Sequence, residues 1–358
     1  LNQAFRDAHF SFHGRVLRGQ SAPPQRDVQV LEAINRAAGP MLAREYVARY
    51  LPEATRARAE AIAGGVRNAL ARAVERSDWL SAEARAEAAA KLAGLRIEIG
   101  APADDLDFSM QPMGRNSFGS NMLIAATWHH REEMRRIGRT NAQRRWGVQP
   151  QEPVLAYDIA HNRLVVSAAV LQAPVLDMEQ DAAAQYGSFG ALVGHELGRA
   201  VDAKGRLVDA SGQIRTWWTP ADEAAFGERA NRLAAQYANY DYPAATALKV
   251  DGNLTREGNM ADLAAVELAL DAFEAAQADP DSAGYESFFR AWASLWREQL
   301  SPEAATEAAS TQAQAPGKWR ANGPLVNLPA FAKAFKCKAG NAMVRKPEEQ
   351  VSIWRQAH

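Results

Sequence analysis

His195 and Glu196 stand side by side in Gly194-His195-Glu196-Leu197-Gly198-Arg199, a stretch that reads as part of a helix. Two imidazoles four residues apart lie on one helix face and can grip one tetrahedral zinc ion, while a glutamate beside the first acts as general base for the metal-bound water. The residue four positions after His195 is Arg199. Its guanidinium has no lone pair and stays protonated at any ordinary pH, so it cannot ligate a metal. Taken alone, the His-Glu pair reads as two ordinary helix residues. His9, His13 and His161 are assigned no function, and the adjacent His129 and His130 point in different directions from one helix. Cys337 is the sole cysteine and reads as a structural thiol without an intrachain disulfide.

The elements that must position these residues are mostly helical. From Met41 to Leu92 Ala, Arg, Glu and Leu dominate, with apolar residues at three- and four-residue spacing such as Leu42, Tyr46, Val47 and Tyr50. Asp78-Trp79-Leu80-Ser81 breaks that run, Ser81 is placed to cap a helix over 82–92, and Gly94 is placed to close it. Ile97 to Gly100 reads as a short strand, and a further amphipathic helix covers about 121–139. The segments 154–159 and 163–168 cluster β-branched residues around Ala160-His161-Asn162, which predicts a hairpin or edge strand just before the His195 helix. Thr219-Pro220 predicts the start of a helix to about Tyr240. Further helices follow near 260–276, 287–300 and 329–335, with a loop at 312–317.

Lys and Arg number 41 against 42 Asp and Glu, so the formal net charge of −1 supplies no global field for nucleic acid or an anionic membrane. The chain is 358 residues long, with 47% hydrophobic and 23% charged residues, the composition of a globular protein of about two domains. Its apolar runs are far shorter than the roughly 20 residues that span a bilayer.

From Leu155 onward several separated motifs occur in one order. Val201-Asp202-Ala203-Lys204-Gly205-Arg206 and Thr216-Trp217-Trp218-Thr219 follow the His195 helix. Then come Val250-Asp251-Gly252-Asn253-Leu254-Thr255 and Asn259-Met260-Ala261-Asp262-Leu263. Pro316-Gly317-Lys318-Trp319-Arg320-Ala321-Asn322-Gly323-Pro324-Leu325 and Phe331 to Cys337 close the series, with Ser352-Ile353-Trp354 at its end. In these motifs the chain resembles the neprilysin/endothelin-converting-enzyme-like family of zinc endopeptidases, of the gluzincin type. The first 150 residues are similar more weakly, through Phe5, Trp79 and the Ile97 to Pro102 stretch. The family is about twice this long, so the likeness covers its C-terminal half or more.

The resemblance assigns roles position by position. It makes His195 the first zinc ligand and Glu196 the general base. The second ligand falls on Arg199 and the third on Gly258, in Arg256-Glu257-Gly258-Asn259-Met260-Ala261-Asp262. Glu257 is one position early, and one residue on a helix is a rotation of about 100° away from the site. Asp262 matches the carboxylate that orients a ligand imidazole, and Gln314 stands at the transition-state His position. The substrate-gripping Asn-Ala pair becomes Leu155-Ala156, and the arginine that holds substrate is kept as Arg320.

The resemblance implies a mainly α (α+β) fold of two helical lobes around a chamber, the C-terminal one thermolysin-like with a small sheet. The division expected is 1–115, a helical lobe lacking the family's N-terminal part, and 116–358, the peptidase-family lobe. With one ligand left, no zinc or other cofactor is expected. Glu196 and Asp262 become remnants of a catalytic site, and Arg199 is expected to pair with Glu196 or Asp262. The leading expectation is a pseudopeptidase that binds a peptide or protein through Ala156, the edge strand and Arg320. The expected partners include a separate chain completing the N-terminal part. The rival is an active zinc endopeptidase with Glu257 swung in and Arg199 out. On the leading view, Arg199→His with Gly258→Glu restores zinc binding. Family analogy places the protein in the periplasm or outside the cell.

Overall fold

In the computed structural model, residues 2–17, 19–102, 112–139, 146–277 and 280–355 are described. The chain divides into two compact units, one formed by 1–46 with 103–149 and the other by 47–102 with 150–358. The division expected near residue 115 falls inside the first unit, because a segment in mid-sequence returns to the N-terminal helices while the strand before it belongs to the other unit. The first unit holds α1 (Gln3–His9), a more loosely wound turn over Phe10–Val16, most of α2 (Arg26–Tyr50) and α5 (Phe118–Arg136). Within α2 the backbone leaves the helical region at Ala38, just before Pro40, which cannot donate to the preceding turn. His129 and His130 are exposed on α5.

The second unit carries α3 (Glu53–Glu75), α4 (Ala82–Ala93), β1 (Arg96–Gly100), β2 (Leu155–Asp158) and β3 (Arg163–Ser167). Its other main helices are α6 (Ala182–Gln185), α7 (Ala191–Gly198), α8 (Pro220–Tyr237), α9 (Arg256–Ala276), α10 (Ser282–Ser294), α11 (Pro302–Thr311), α12 (Gly317–Leu325) and α13 (Pro329–Ala334). The fold is thus mainly helical with one small sheet. Its strand order is β1-β3-β2, with β1 parallel and β2 antiparallel to the central, fully buried β3.

Local signals explain the helix ends. The Ser81 hydroxyl accepts from Ala84 N–H, Gly94 closes α4, and Thr219 and Asp222 form a reciprocal cap at α8. Asp222 also accepts from the Ser81 N–H at 2.6 Å and its hydroxyl at 2.9 Å, so one buried carboxylate ties the starts of both helices. The segment 287–300 expected as a helix is instead helical from Ser282 to Ser294, and α11 and α12 flank the loop expected at 312–317.

α9 is the centre of the core, with Leu263, Ala265, Val266, Ala269, Leu270 and Phe273 fully buried. α7 packs against it at close range: a Cβ on Gly194 would lie 2.9 Å from the Ala265 carbonyl oxygen and 3.2 Å from its Cα. Only glycine permits that approach, and the approach sets His195 opposite Asp262. Trp217 and Trp218 are buried, Trp218 against Trp79 at 5.2 Å between ring centroids. The Trp79 indole donates to the Ile353 carbonyl at 3.0 Å, and buried Glu267 accepts from the Ile353 and Trp354 N–H groups and the Ser352 hydroxyl. No helix among the described residues is long and apolar enough to cross a membrane.

Candidate functional site

The C-terminal turn of α7 presents His195, Glu196 and Arg199, and α9 supplies Asp262 from the opposite side. His195 Nδ1 lies 3.0 Å from Asp262 Oδ1. Its Nε2 lies 3.2 Å from Arg199 Nη2. A guanidinium can only donate, so in this contact Nε2 is the acceptor, and Nδ1 faces Asp262. The lone pair that would meet a metal meets a cation's N–H.

Arg199 also donates through Nε to Glu196, at 3.2 Å from Oε2 and 3.3 Å from Oε1. Of the two partners expected for Arg199, the structure selects Glu196. Asp262 is taken from another side: Arg320, on α12, donates to Oδ1 at 2.7 Å and to Oδ2 at 2.8 Å. This paired geometry is the strong form of an arginine–carboxylate contact. The Arg320 guanidinium carbon also sits 3.6 Å from the Trp296 ring centroid, a cation–π contact. Burial alone would raise the Asp262 carboxyl. The hydrogen bonds from Arg320 and His195 and the charge of Arg320 outweigh it and hold the group below its ordinary value. Two guanidinium ions and two carboxylates balance the cluster.

β2 closes one side. The Tyr157 backbone N–H donates to Glu196 Oε2 at 3.0 Å. Ala156 is the register partner of Val165, and Ser167 N–H donates to the Val154 carbonyl. The alternation of an antiparallel ladder then turns the backbone groups of Ala156 toward β3 and those of Leu155 and Tyr157 outward. Any strand added along this edge would meet the Leu155 backbone and the Tyr157 carbonyl, since the Tyr157 N–H is taken by Glu196.

The third position is filled from elsewhere. A Cβ on Gly258 would lie 2.5 Å from Gln314 Oε1, 2.9 Å from Gln314 Cδ and 3.0 Å from the Ala313 carbonyl oxygen. The Gln314 amide therefore occupies the space into which a side chain at 258 would grow. Its Oε1 is buried with no hydrogen-bond partner. Glu257 is exposed and pairs with Lys204 at 2.8 Å, away from His195, as helix geometry requires.

The structure thus gathers His195, Glu196, Arg199, Asp262 and Arg320 in one connected cluster and packs Gln314 over Gly258. Sequence reasoning missed two contributors. The Tyr157 N–H carries no signal, being a backbone group, and Trp296 lies in no motif.

The profile of peptidase family M13 matches residues 156–351, and its N-terminal counterpart matches 1–102. The chain belongs to peptidase family M13. Among M13 relatives, it is 27% identical to a neutral endopeptidase of Lactobacillus helveticus, across 99% of this chain and 54% of that one. It is 26% identical to the human membrane metallo-endopeptidase-like 1, across 99% and 47%. The chain thus spans about half the length of the curated relatives it matches. The open state of the zinc metalloprotease ZMP1 of Mycobacterium tuberculosis superposes with a TM-score of 0.90 at 27% identity, over 99% of this chain and 56% of that one. Such M13 names imply zinc, and the donors here do not fit it. Among the described residues no three His, Cys, Asp or Glu side chains are grouped to hold a metal, and the free face of His195 is spent on Arg199.

Proposed function

We propose that this chain is a catalytically degenerate M13 homologue, a pseudopeptidase that binds an extended peptide or a protein partner. The observation that carries the reading is the Arg199 Nη2 to His195 Nε2 contact at 3.2 Å, which puts a fixed positive charge where a metallopeptidase holds its dication. The outer edge of β2, with the Leu155 backbone and the Tyr157 carbonyl turned outward, supports β-augmentation as the binding mode, although the Tyr157 N–H is held by Glu196. By family analogy the proposed location is periplasmic or extracellular, tested by cell fractionation.

The names of the relatives favour a second reading, an active zinc endopeptidase with rearranged ligands. That reading needs Arg199 to leave both His195 and Glu196, and Glu257 to leave Lys204. The deciding experiment is elemental analysis after incubation with zinc and gel filtration, beside a peptide-cleavage assay with and without chelator. Absence of retained zinc and of cleavage is the expected result. About one zinc per chain, lost to chelator together with cleavage, overturns the proposal.

A further inference from the structure

His9 and His13 stand four positions apart, at the end of α1 and in the looser turn that follows it. Neither belongs to the His195 cluster or to a motif of the family likeness. On an α-helix four steps make about 400°, so the second side chain lies about 40° round from the first and one turn further on. The turn over Phe10–Val16 is wound more widely, and the Leu17 N–H that closes it reaches back five residues to the Phe12 carbonyl. A wider turn rotates less per residue, which brings the fourth position closer to directly above the first. Such turns are rare and often mark functional sites.

The neighbouring side chains leave this face open. The Phe10 ring packs against Gly14, where a Cβ would lie 2.3 Å from Phe10 Cδ2 and Cε2. The Arg15 guanidinium sits over the Phe10 ring at 5.5 Å from its centroid. Arg6 donates to Gln3 Oε1 at 2.7 Å, and Asp7 accepts from Gln3 Nε2 at 2.7 Å. Phe12 meets the His13 ring edge-on, with centroids 5.1 Å apart. Both imidazoles are exposed, and among the described residues neither has a hydrogen-bond partner.

The His9 and His13 ring centroids are 4.6 Å apart. An imidazole bound through nitrogen at about 2.0 Å has its centroid about 3.2 Å from the ion, so two at a right angle are about 4.5 Å apart and two at a tetrahedral angle about 5.2 Å. The pair holds the right-angle spacing. The rings are tilted by 31°, and rotation about their side-chain bonds turns one nitrogen of each toward a shared ion.

The geometry points to a chelate site at His9 and His13 for a divalent late transition metal, copper(II) first, then nickel(II), ahead of zinc. Imidazole suits these ions, a right-angled pair matches their tetragonal preference, and copper leads the affinity order at a common donor set. The protein supplies two donors, in keeping with the absence of any group of three among the described residues, and water completes the shell. Two protein ligands hold zinc too weakly to keep it through gel filtration. The zinc test of the His195 centre is therefore unaffected, and the inference does not depend on its outcome.

The test is calorimetric titration of the metal-free whole chain with copper(II), nickel(II) and zinc chloride, beside copper EPR to count bound nitrogens. The tightest site is expected to take one copper per chain through two imidazole nitrogens, at least about tenfold tighter than zinc. His9→Ala and His13→Ala should each weaken it by at least about tenfold. Ser11→His with His13→Ala keeps seven histidines but sets the second imidazole about 200° round the helix from His9, and should be as weak as the single variants. His129→Ala with His130→Ala should leave the site unchanged. All these positions are exposed, so urea midpoints should not move. Three results overturn the inference: no copper bound up to roughly 1 mM; parent affinity in either single variant; or parent affinity in the out-of-register variant, which means adventitious binding to surface imidazoles.

Discussion

Gly258→Leu tests whether Gln314 has taken over the space of a lost side chain. In an open first turn of α9, leucine in place of glycine would favour the helix by about 0.5–1 kcal/mol. Here the new Cβ falls 2.5 Å from Gln314 Oε1 and 2.9 Å from its Cδ, about 1 Å inside ordinary carbon–oxygen contact. The amide must leave and the rest of the leucine must follow into its place, an overpacking that costs about 1–3 kcal/mol. In a Gln314→Ala background the clash with the amide is gone, and the Ala313 carbonyl at 3.0 Å remains. The double-mutant cycle, read by urea unfolding followed through tryptophan emission, should give a coupling of about 1–2 kcal/mol in favour of the double variant. A coupling below about 0.5 kcal/mol, the limit for independent sites, would refute the interlock.

Zinc binding follows the same geometry: Arg199→His with Gly258→Glu should remain weak, and adding Gln314→Ala should strengthen it by at least about tenfold in a dialysis assay. Arg320→Met leaves Asp262 buried with His195 as its remaining partner, and should cost about 3–5 kcal/mol in urea unfolding. Lys91 is fully buried, and burial lowers its ammonium to about 8 from 10.5 despite the pull of Asp202, Glu87 and Asp209. A depressed lysine lets the folded state shed its proton first, so stability should rise as pH goes from about 8 to 10.5. Lys91→Met should abolish that rise, measured as urea midpoints at each pH, and should still fold because Trp217 Nε1 also reaches the Gly205 and Val208 carbonyls.

Much of the fold is legible in local chemistry. Ser81, Gly94 and Thr219-Pro220 mark helix ends through backbone groups only a few residues away, and the structure keeps each of them. The β-branched runs around Asn162 mark a hairpin for the same reason. The parallel pairing of β1 with β3 was not legible, because nothing in Ile97-Glu98-Ile99 says which distant strand lies beside it. The start of α11 at Ser301-Pro302 carried a cap signal that went unused. At the site, the residue types at 195, 196, 199, 258 and 262 were readable, and so was the outward turn of Glu257. The choice of Glu196 over Asp262 by Arg199 was not, since it depends on Arg320 arriving from α12. Nor was the filling of the Gly258 space by Gln314, since it depends on how the loop before α12 lies against α9.

The bond from Trp79 to the Ile353 carbonyl, and the parallel seat of β1 beside β3, set an order of events during synthesis. α3, α4 and β1 leave the ribosome well before these partners, so β1 has no strand to pair with until 163–167 emerge, and the Trp79 ring has no acceptor until residue 353. At about 5–20 residues per second, the helices of 53–93 wait on the order of ten seconds or more for that last contact. Through that interval the apolar faces of α3 and the edges of β1 stand open to other chains. Nascent chains of this protein should therefore depend on holding chaperones more than their content of local helix suggests.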